Sequence, residues 1–252
     1  MIPKIIHYCW FGRSPLPPLA KKCISSWKKN FPDYEIIEWN EDNFDVDIIQ
    51  YTSDAYNAKK YAFVSDYARF FVLNKYGGIY FDTDVEIIKN MDHIISNGPF
   101  MGCEHESVLG ESPLKLGVAT GLCLGVEPNH PFINKLLKHY EAKEFVLPNS
   151  NNTSEHNVVA YTTQILCDDG LRQTNEIQEC SGFKIYPKEY FCPTLIKGRP
   201  IITDKTVSVH YYAASWFPRN KKIKKWLIDN FPAFSHFIFG FKSILRRCHI
   251  IS

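Results

Sequence analysis

The sequence is short of the features that would place it in several large protein classes. Its eight cysteines, at positions 9, 23, 103, 123, 167, 180, 192 and 248, include no Cys-X-X-Cys pair, so neither a disulfide framework nor a zinc site is supported. No internal repeat is visible, and the apolar stretch from Phe231 to Phe241 is too short to span a bilayer. Met1-Ile2-Pro3-Lys4 leads straight into Ile5-Ile6-His7-Tyr8, without an apolar stretch and cleavage site, so no secretory leader is expected. Scattered thiols without a leader predict a cytoplasmic protein, in which the Asn-X-Thr at Asn151 receives no glycan.

What is present fits one α/β enzyme domain. With 252 residues, 45% of them hydrophobic and 15% aromatic, the chain can bury a substantial core. Strands are expected near 4–10, 34–39, 79–82, 99–104 and 121–126. Helices are expected near 17–29, 55–75, 131–142 and 155–167. This alternation predicts a mostly parallel sheet covered on both faces, with a ligand at the carboxyl ends of the strands. The Asn- and Ser-rich segment Glu144 to Ser154 reads as a loop, either part of an acceptor-side lid or plain surface.

The densest chemical signal is Tyr76-Gly77-Gly78-Ile79-Tyr80-Phe81-Asp82-Thr83-Asp84. An Asp-X-Asp at the exit of a short apolar strand presents two carboxylates that can share one hard divalent cation. Mg²⁺ or Mn²⁺ held by one or two carboxylates keeps its other positions for water and phosphates, which makes a nucleotide diphosphate the natural ligand. Most isolated Asp-X-Asp triplets are solvated turns. Here the glycine pair and the apolar strand argue otherwise.

Upstream, residues 55 to 75 are apolar around the whole circumference of a helix and should be buried. Ser65, Asp66 and Arg69 interrupt that surface, and their spacing puts Asp66 and Arg69 on one face. Two readings stand: an internal ion pair that fixes the helix, or a pair of charges held for function.

The run Ser65-Asp66-Tyr67-Ala68-Arg69 followed by the Asp-X-Asp segment resembles the sugar-binding region of the Asp-X-Asp glycosyltransferases, a group that includes yeast initiating mannosyltransferases, bacterial capsule transferases and large clostridial glucosylating toxins. The opening Ile2 to Gly12 and the later His210-Tyr211-Tyr212-Ala213-Ala214-Ser215-Trp216 extend the resemblance over most of residues 1 to 217. It implies a GT-A type fold, Rossmann-like, with a donor site laid on particular positions. Trp10, just after the first strand, would stack on the nucleotide base. Asp66 and Arg69 would hold ribose and donor sugar, with Tyr80 in the same donor-binding set. Asp82 would contact sugar or metal-bound water, and Asp84 would be the direct metal ligand. His210 or Ser215 would complete the metal and phosphate contacts, and Trp216 would close over the diphosphate. Asp82, Asp84 and Arg69 form the implied catalytic set, around Mn²⁺ or Mg²⁺.

Physical chemistry supports Trp10 independently, since an indole stacked on a base contributes roughly 1 to 3 kcal/mol in single-strand binders. Trp27 and Trp39 read better as core residues.

From Arg219 onward the chain carries eight Lys or Arg against one acid, a net of +7, while residues 1 to 218 carry −5. These charges are interleaved with Trp226, Phe231, Phe234, Phe237, Phe239 and Phe241. A basic aromatic tail reads as an interfacial anchor for anionic lipid, on a domain spanning 1–218. The other reading is a packed C-terminal helix with a solvated basic face. No nucleic-acid motif accompanies it. The expected activity is transfer of a hexose from a nucleotide diphosphate sugar, UDP-linked by preference, to a glycan. A polyprenyl diphosphate-linked glycan of bacterial capsule or O-antigen synthesis is the acceptor the resemblance implies. A nucleotide-sugar hydrolase and a non-catalytic nucleotide or glycan binding protein are the alternatives from other classes.

Overall fold

The computed structural model describes residues 1–106, 115–147, 158–196 and 199–213. Two units are distinguished, the larger being Met1–Thr194 with Pro200–Tyr212. Ser215, Trp216, the expected boundary at 218, the basic tail and most of the Asn- and Ser-rich loop lie outside the described residues.

In the larger unit the strands are β1 (Ile5–Cys9), β2 (Glu35–Trp39), β3 (Gly78–Tyr80), β4 (Val85–Ile87), β5 (Phe100–Glu106), β6 (Lys115–Val118), β7 (Leu124–Val126), β8 (Gln178–Cys180) and β9 (Phe183–Tyr186). The main helices are α1 (Pro18–Asn30), α2 (Gln50–Asn57), α3 (Tyr61–Tyr76), with α4 (Asp92–Ile95), α5 (Pro131–Glu141), α6 (Val158–Asp168) and α7 (Lys188–Phe191) following. Two-residue strands β10 (Leu195–Ile196) and β11 (Arg199–Pro200) precede β12 (Ser208–His210).

The central sheet runs β2-β1-β3-β7-β5-β9-β8, with β6 beside β5. β1 pairs in parallel with β2 and β3, and β5 in parallel with β9, while β7 and β8 run against their neighbours. Five of the seven strands along this path therefore point one way, as the alternating pattern predicts. Side chains alternate between two cores. Ile6, Tyr8, Ile79 and Phe100 join Trp27 of α1 in one cluster, while Cys9, Tyr80 and Met101 join α3 and α5 in the other. That alternation puts helices on both faces of the sheet. Trp27 is fully buried and donates to the Val85 carbonyl at 2.8 Å, so both Trp27 and the buried Trp39 are core residues.

Two expected elements differ in detail. The single helix expected over 55–75 is two helices. Lys59 takes a left-handed φ of 57°, and Lys60 N–H reaches the Ala55 carbonyl at 2.8 Å, a C-terminal closure that ends α2 before α3 begins. The strand expected over 121–126 starts only at Leu124, because Leu122 N–H bonds the Ala119 carbonyl at 3.1 Å and turns the chain at Thr120 and Gly121.

The glycine pair ahead of the Asp-X-Asp is held by His7. Its buried ring accepts from Trp39 Nε1–H at 3.0 Å through Nδ1, and its Nε2 lies 2.8 Å from the Gly77 carbonyl, to which it donates. Gly78 has φ of 105°, and a Cβ there would lie 2.6 Å from the Ile5 carbonyl oxygen. Only glycine lets β3 lie this close to β1.

Candidate active site

Parallel β1 and β3 deliver their carboxyl ends to the same edge of the sheet, with His7 opposite Tyr80 in register. Trp10 leaves β1 there, half-buried, and its indole donates to the Ser14 carbonyl at 2.6 Å. Asp82 leaves β3 two residues after Tyr80. The chain then turns, with Val85 N–H on the Asp82 carbonyl at 3.1 Å, and enters β4.

β4 pairs antiparallel with β12, His210 opposite Val85. That register carries His210 from the far end of the sequence to the Asp-X-Asp. His210 Nε2 lies 3.2 Å from Asp84 Oδ1, and Tyr211 N–H bonds the Asp84 carbonyl at 3.0 Å. One ligand atom each from Asp82, Asp84 and His210 fall within 4.8 Å of one another. Two carboxylates and an imidazole at that separation fit a Mn²⁺ or Mg²⁺ that keeps further positions for other ligands. Burial lowers the basicity of His210, but its hydrogen bond and charge interaction with Asp84, with a smaller contribution from Cys192, raise its pKa to about 10. A cation binding here must displace that proton.

On the other side of Asp82 stands the buried pair from α3. Arg69 Nη2 bonds Asp66 Oδ1 at 2.7 Å and lies 3.6 Å from Asp82 Oδ1. Its Nε donates to the Ser65 carbonyl at 3.1 Å, Nη1 approaches Thr120 Oγ1 at 3.4 Å, and the guanidinium sits 4.8 Å from the Tyr80 ring centroid. Tyr80 Oη donates to Asp82 Oδ1 at 3.1 Å. Burial raises Asp66 to about 6, with Arg69 pulling it down and Asp82 adding to the rise, so Asp66 is ionised at neutral pH. The ion pair expected from the spacing is therefore real. It also reaches the Asp-X-Asp, which makes it part of one cluster with Asp82.

Of the residues singled out in the sequence, Asp66, Arg69, Tyr80, Asp82, Asp84 and His210 converge. Trp10 stands at the same sheet edge, occupied with Ser14. Two participants carried no sequence signal. Thr120 and Gly121 arrive through the turn before β7, where the Gly121 carbonyl accepts from Asp82 N–H at 2.8 Å. A Cβ on Gly121 would lie 2.6 Å from Asp82 Cγ and 3.1 Å from Arg69 Nη1. Gly121 leaves the room that the Asp82 carboxylate occupies.

Residues 17–101, which hold Asp66, Arg69 and both acids of the Asp-X-Asp, match the family model described as the glycosyltransferase sugar-binding region containing the DXD motif. This segment is therefore similar to a glycosyltransferase sugar-binding region. Its DXD motif is Asp82-Thr83-Asp84. Over 111 residues the chain is 29% identical to inositol phosphoceramide mannosyltransferase 1 of Schizosaccharomyces pombe, covering 40% of this chain and 33% of that protein. It is 26% identical over 233 residues to the uncharacterized glycosyltransferase L373 of Acanthamoeba polyphaga mimivirus, covering 89% of this chain and 87% of the viral protein. Among solved structures, the PaToxG glycosyltransferase is 22% identical with a TM-score of 0.46, over 67% of this chain and 70% of that one. The chain spans about a third of the length of the curated yeast mannosyltransferases it matches. Among the described residues, no helix is long and apolar enough to cross a membrane.

Proposed function

We propose that this protein is a metal-dependent glycosyltransferase of GT-A type that moves a hexose from a nucleotide diphosphate sugar to a hydroxyl of a glycan or glycolipid. The observation that carries this reading is the convergence of Asp82, Asp84 and His210 beside the buried Asp66–Arg69 pair. A divalent cation held by those three side chains would neutralise the charge that develops on the leaving diphosphate.

The protein's own groups divide the remaining work. Trp10 offers a flat face to the base at the carboxyl end of β1. Asp66, ionised and fixed by Arg69, accepts hydrogen bonds from sugar hydroxyls and so orients the ring. Arg69, held by Ser65, Asp66 and the face of Tyr80, places a permanent positive charge next to Asp82. Ser215 and Trp216 complete the phosphate side in this reading, and the resemblance to the family supports retention of anomeric configuration.

UDP-sugars are the preferred donors to test. GDP-mannose belongs beside them, because several of the similar yeast proteins are named as mannosyltransferases. A polyprenyl diphosphate-linked bacterial glycan is the acceptor we favour. The basic aromatic composition of residues 219–252 supports peripheral binding at the inner face of the cell membrane. Sedimentation with anionic liposomes tests it, and binding unchanged by deletion of that tail would refute the anchor.

The deciding experiment is nucleoside diphosphate release from a panel of nucleotide sugars, with Mn²⁺ or with EDTA, with and without glycan acceptor. Release that needs metal and rises with acceptor establishes the transferase. Fast release indifferent to acceptor indicates a hydrolase, and nucleotide binding without release indicates a binding protein.

A further inference from the structure

Polar atoms buried without a partner gather in one place away from the DXD motif. Lys143 Nζ, His139 Nε2 and Tyr140 Oη are all buried with no hydrogen-bond partner among the described residues, and they sit on α5 and the turn after it. Native proteins rarely leave such atoms unsatisfied, and a cluster of them calls for an explanation.

A cavity of about 280 Å³ opens at this point, lined mainly by Tyr51, Phe63, His139, Lys143, Phe145 and Tyr161. The Lys143 ammonium stands 3.4 Å from the centroid of the Tyr161 ring, and 5.5 and 5.8 Å from those of Tyr51 and Tyr140. Ring faces partly offset the loss of water around a cation, but they supply no anion. Burial pulls the Lys143 pKa down to about 8, against the attraction of Asp66, so the amine is still charged at neutral pH. Burial and then the Lys143 charge lower His139, which keeps the imidazole neutral beside it.

Location gives the cavity a meaning. Phe63 precedes Asp66 on α3 by three residues, so the aromatic wall and the sugar-orienting acid are separated by about one helical turn, on the order of 5 Å along the axis. The charge of Asp66 is felt at Lys143, Tyr51 and Tyr140. The cavity thus adjoins the sugar end of the proposed donor site, with a positive charge at its wall and flat apolar surfaces that match the C–H faces of a sugar ring.

We propose that this cavity is a subsite for an anionic sugar, one bearing a phosphate or a carboxylate, with Lys143 as its counter-ion, His139 as a hydrogen-bonding neighbour and Tyr51, Phe63 and Tyr161 against the ring. Its role as the acceptor side of a transfer rests on the glycosyltransferase reading. The anion site itself rests on the cavity and its unpaired nitrogens alone.

The test is isothermal titration calorimetry of the full chain in EDTA with glucose 6-phosphate, glucuronate, inorganic phosphate and glucose. It is made for the wild type and for Lys143→Met, Lys143→Arg and Asp84→Asn. We expect at least one of the two charged sugars to bind about tenfold or more tighter than glucose. The tighter of the two names the anion, and inorganic phosphate bound as tightly as glucose 6-phosphate would remove the aromatic walls from the site. Lys143→Met should lose about tenfold, Lys143→Arg should stay within about threefold, and Asp84→Asn should bind like the wild type. Saturating UDP should not displace the sugar. Glucose binding as tightly as the charged sugars, no binding up to about 10 mM, unchanged affinity in a folded Lys143→Met, or displacement by UDP would each overturn the proposal. If these bind as expected while no nucleotide sugar turns over, the transferase reading fails and the anionic-sugar site stands.

Discussion

The Asp82 carboxylate occupies the space that a side chain at Gly121 would need: a Cβ built on Gly121 would lie 1.9 Å from Asp82 Oδ2. Because Asp82 N–H is also tied to the Gly121 carbonyl, the backbone cannot simply retreat. Gly121→Ala should push the carboxylate away from Arg69 and the metal site. We expect turnover to fall about a hundredfold, since displacements near 1 Å cost that much in oriented sites, with a stability loss of about 1–3 kcal/mol from overpacking. Steady-state rates and urea unfolding of the one variant check both. Wild-type turnover would mean that the position of Asp82 does not matter.

Asp84→Ala should remove metal-dependent turnover, by about a hundredfold or more, and leave the fold intact. Asp84 enters the unit through its β4–β12 neighbours rather than through the hydrophobic clusters, so circular dichroism should match the wild type. A Mn²⁺ titration followed by calorimetry reads the loss directly. Full metal-stimulated activity in this variant would sink the assignment of the metal site.

How far the sequence alone reaches depends on the range of the contacts involved. The Asp66–Arg69 pair is three residues apart on one helix, and Asp82 and Asp84 flank a single residue, so both follow from local periodicity. The buried character of α3 likewise follows from apolar residues on nearly all sides of it. The meeting of these pieces with His210 needs the β4–β12 register, which no local pattern encodes, although resemblance to the family points to that position. Thr120 and Gly121 are harder still. They contribute a carbonyl and an absence of side chain, and neither leaves a mark in composition or spacing. The division of one expected helix at Lys59 is of the same kind, because a left-handed lysine has no residue-type signature.

Asp66 gives the activity an acid limb. Burial raises it to about 6, so below that pH it becomes neutral and loses its charge-assisted bond to Arg69. We expect kcat/KM to fall about tenfold per pH unit below 6, and Asp66→Asn, less active throughout, to show a flattened profile between pH 5 and 7. The sign for stability is opposite to that for activity. A carboxylate whose folded pKa is raised contributes stability below its ordinary pKa of 3.8 that is lost as pH rises through about 6. Asp66→Asn should therefore remove a destabilising slope between pH 4 and 6.

His7 should show the reverse linkage. Burial lowers its pKa from 6.5 to about 4, partly opposed by its bond to the Gly77 carbonyl, and the neutral ring is the form that can both accept from Trp39 and donate to Gly77. A histidine with a depressed folded pKa contributes stability above 6.5 that is lost as pH falls through 4, worth about 3 kcal/mol at full extent. Over the same range Asp66 gains stability, so the sum is shallow and the two are separable only by substitution. His7→Ala should cost about 2–5 kcal/mol at pH 7, because it leaves the Trp39 indole N–H and the Gly77 carbonyl unpaired in the core. With the His7 contribution gone, the Asp66 gain is unopposed, so the stability of this variant should rise as urea unfolding is followed from pH 7 down to 4. An unchanged pH slope in that variant would mean that the ring is not the proton acceptor, and the hold of His7 on the glycine turn would then be packing alone.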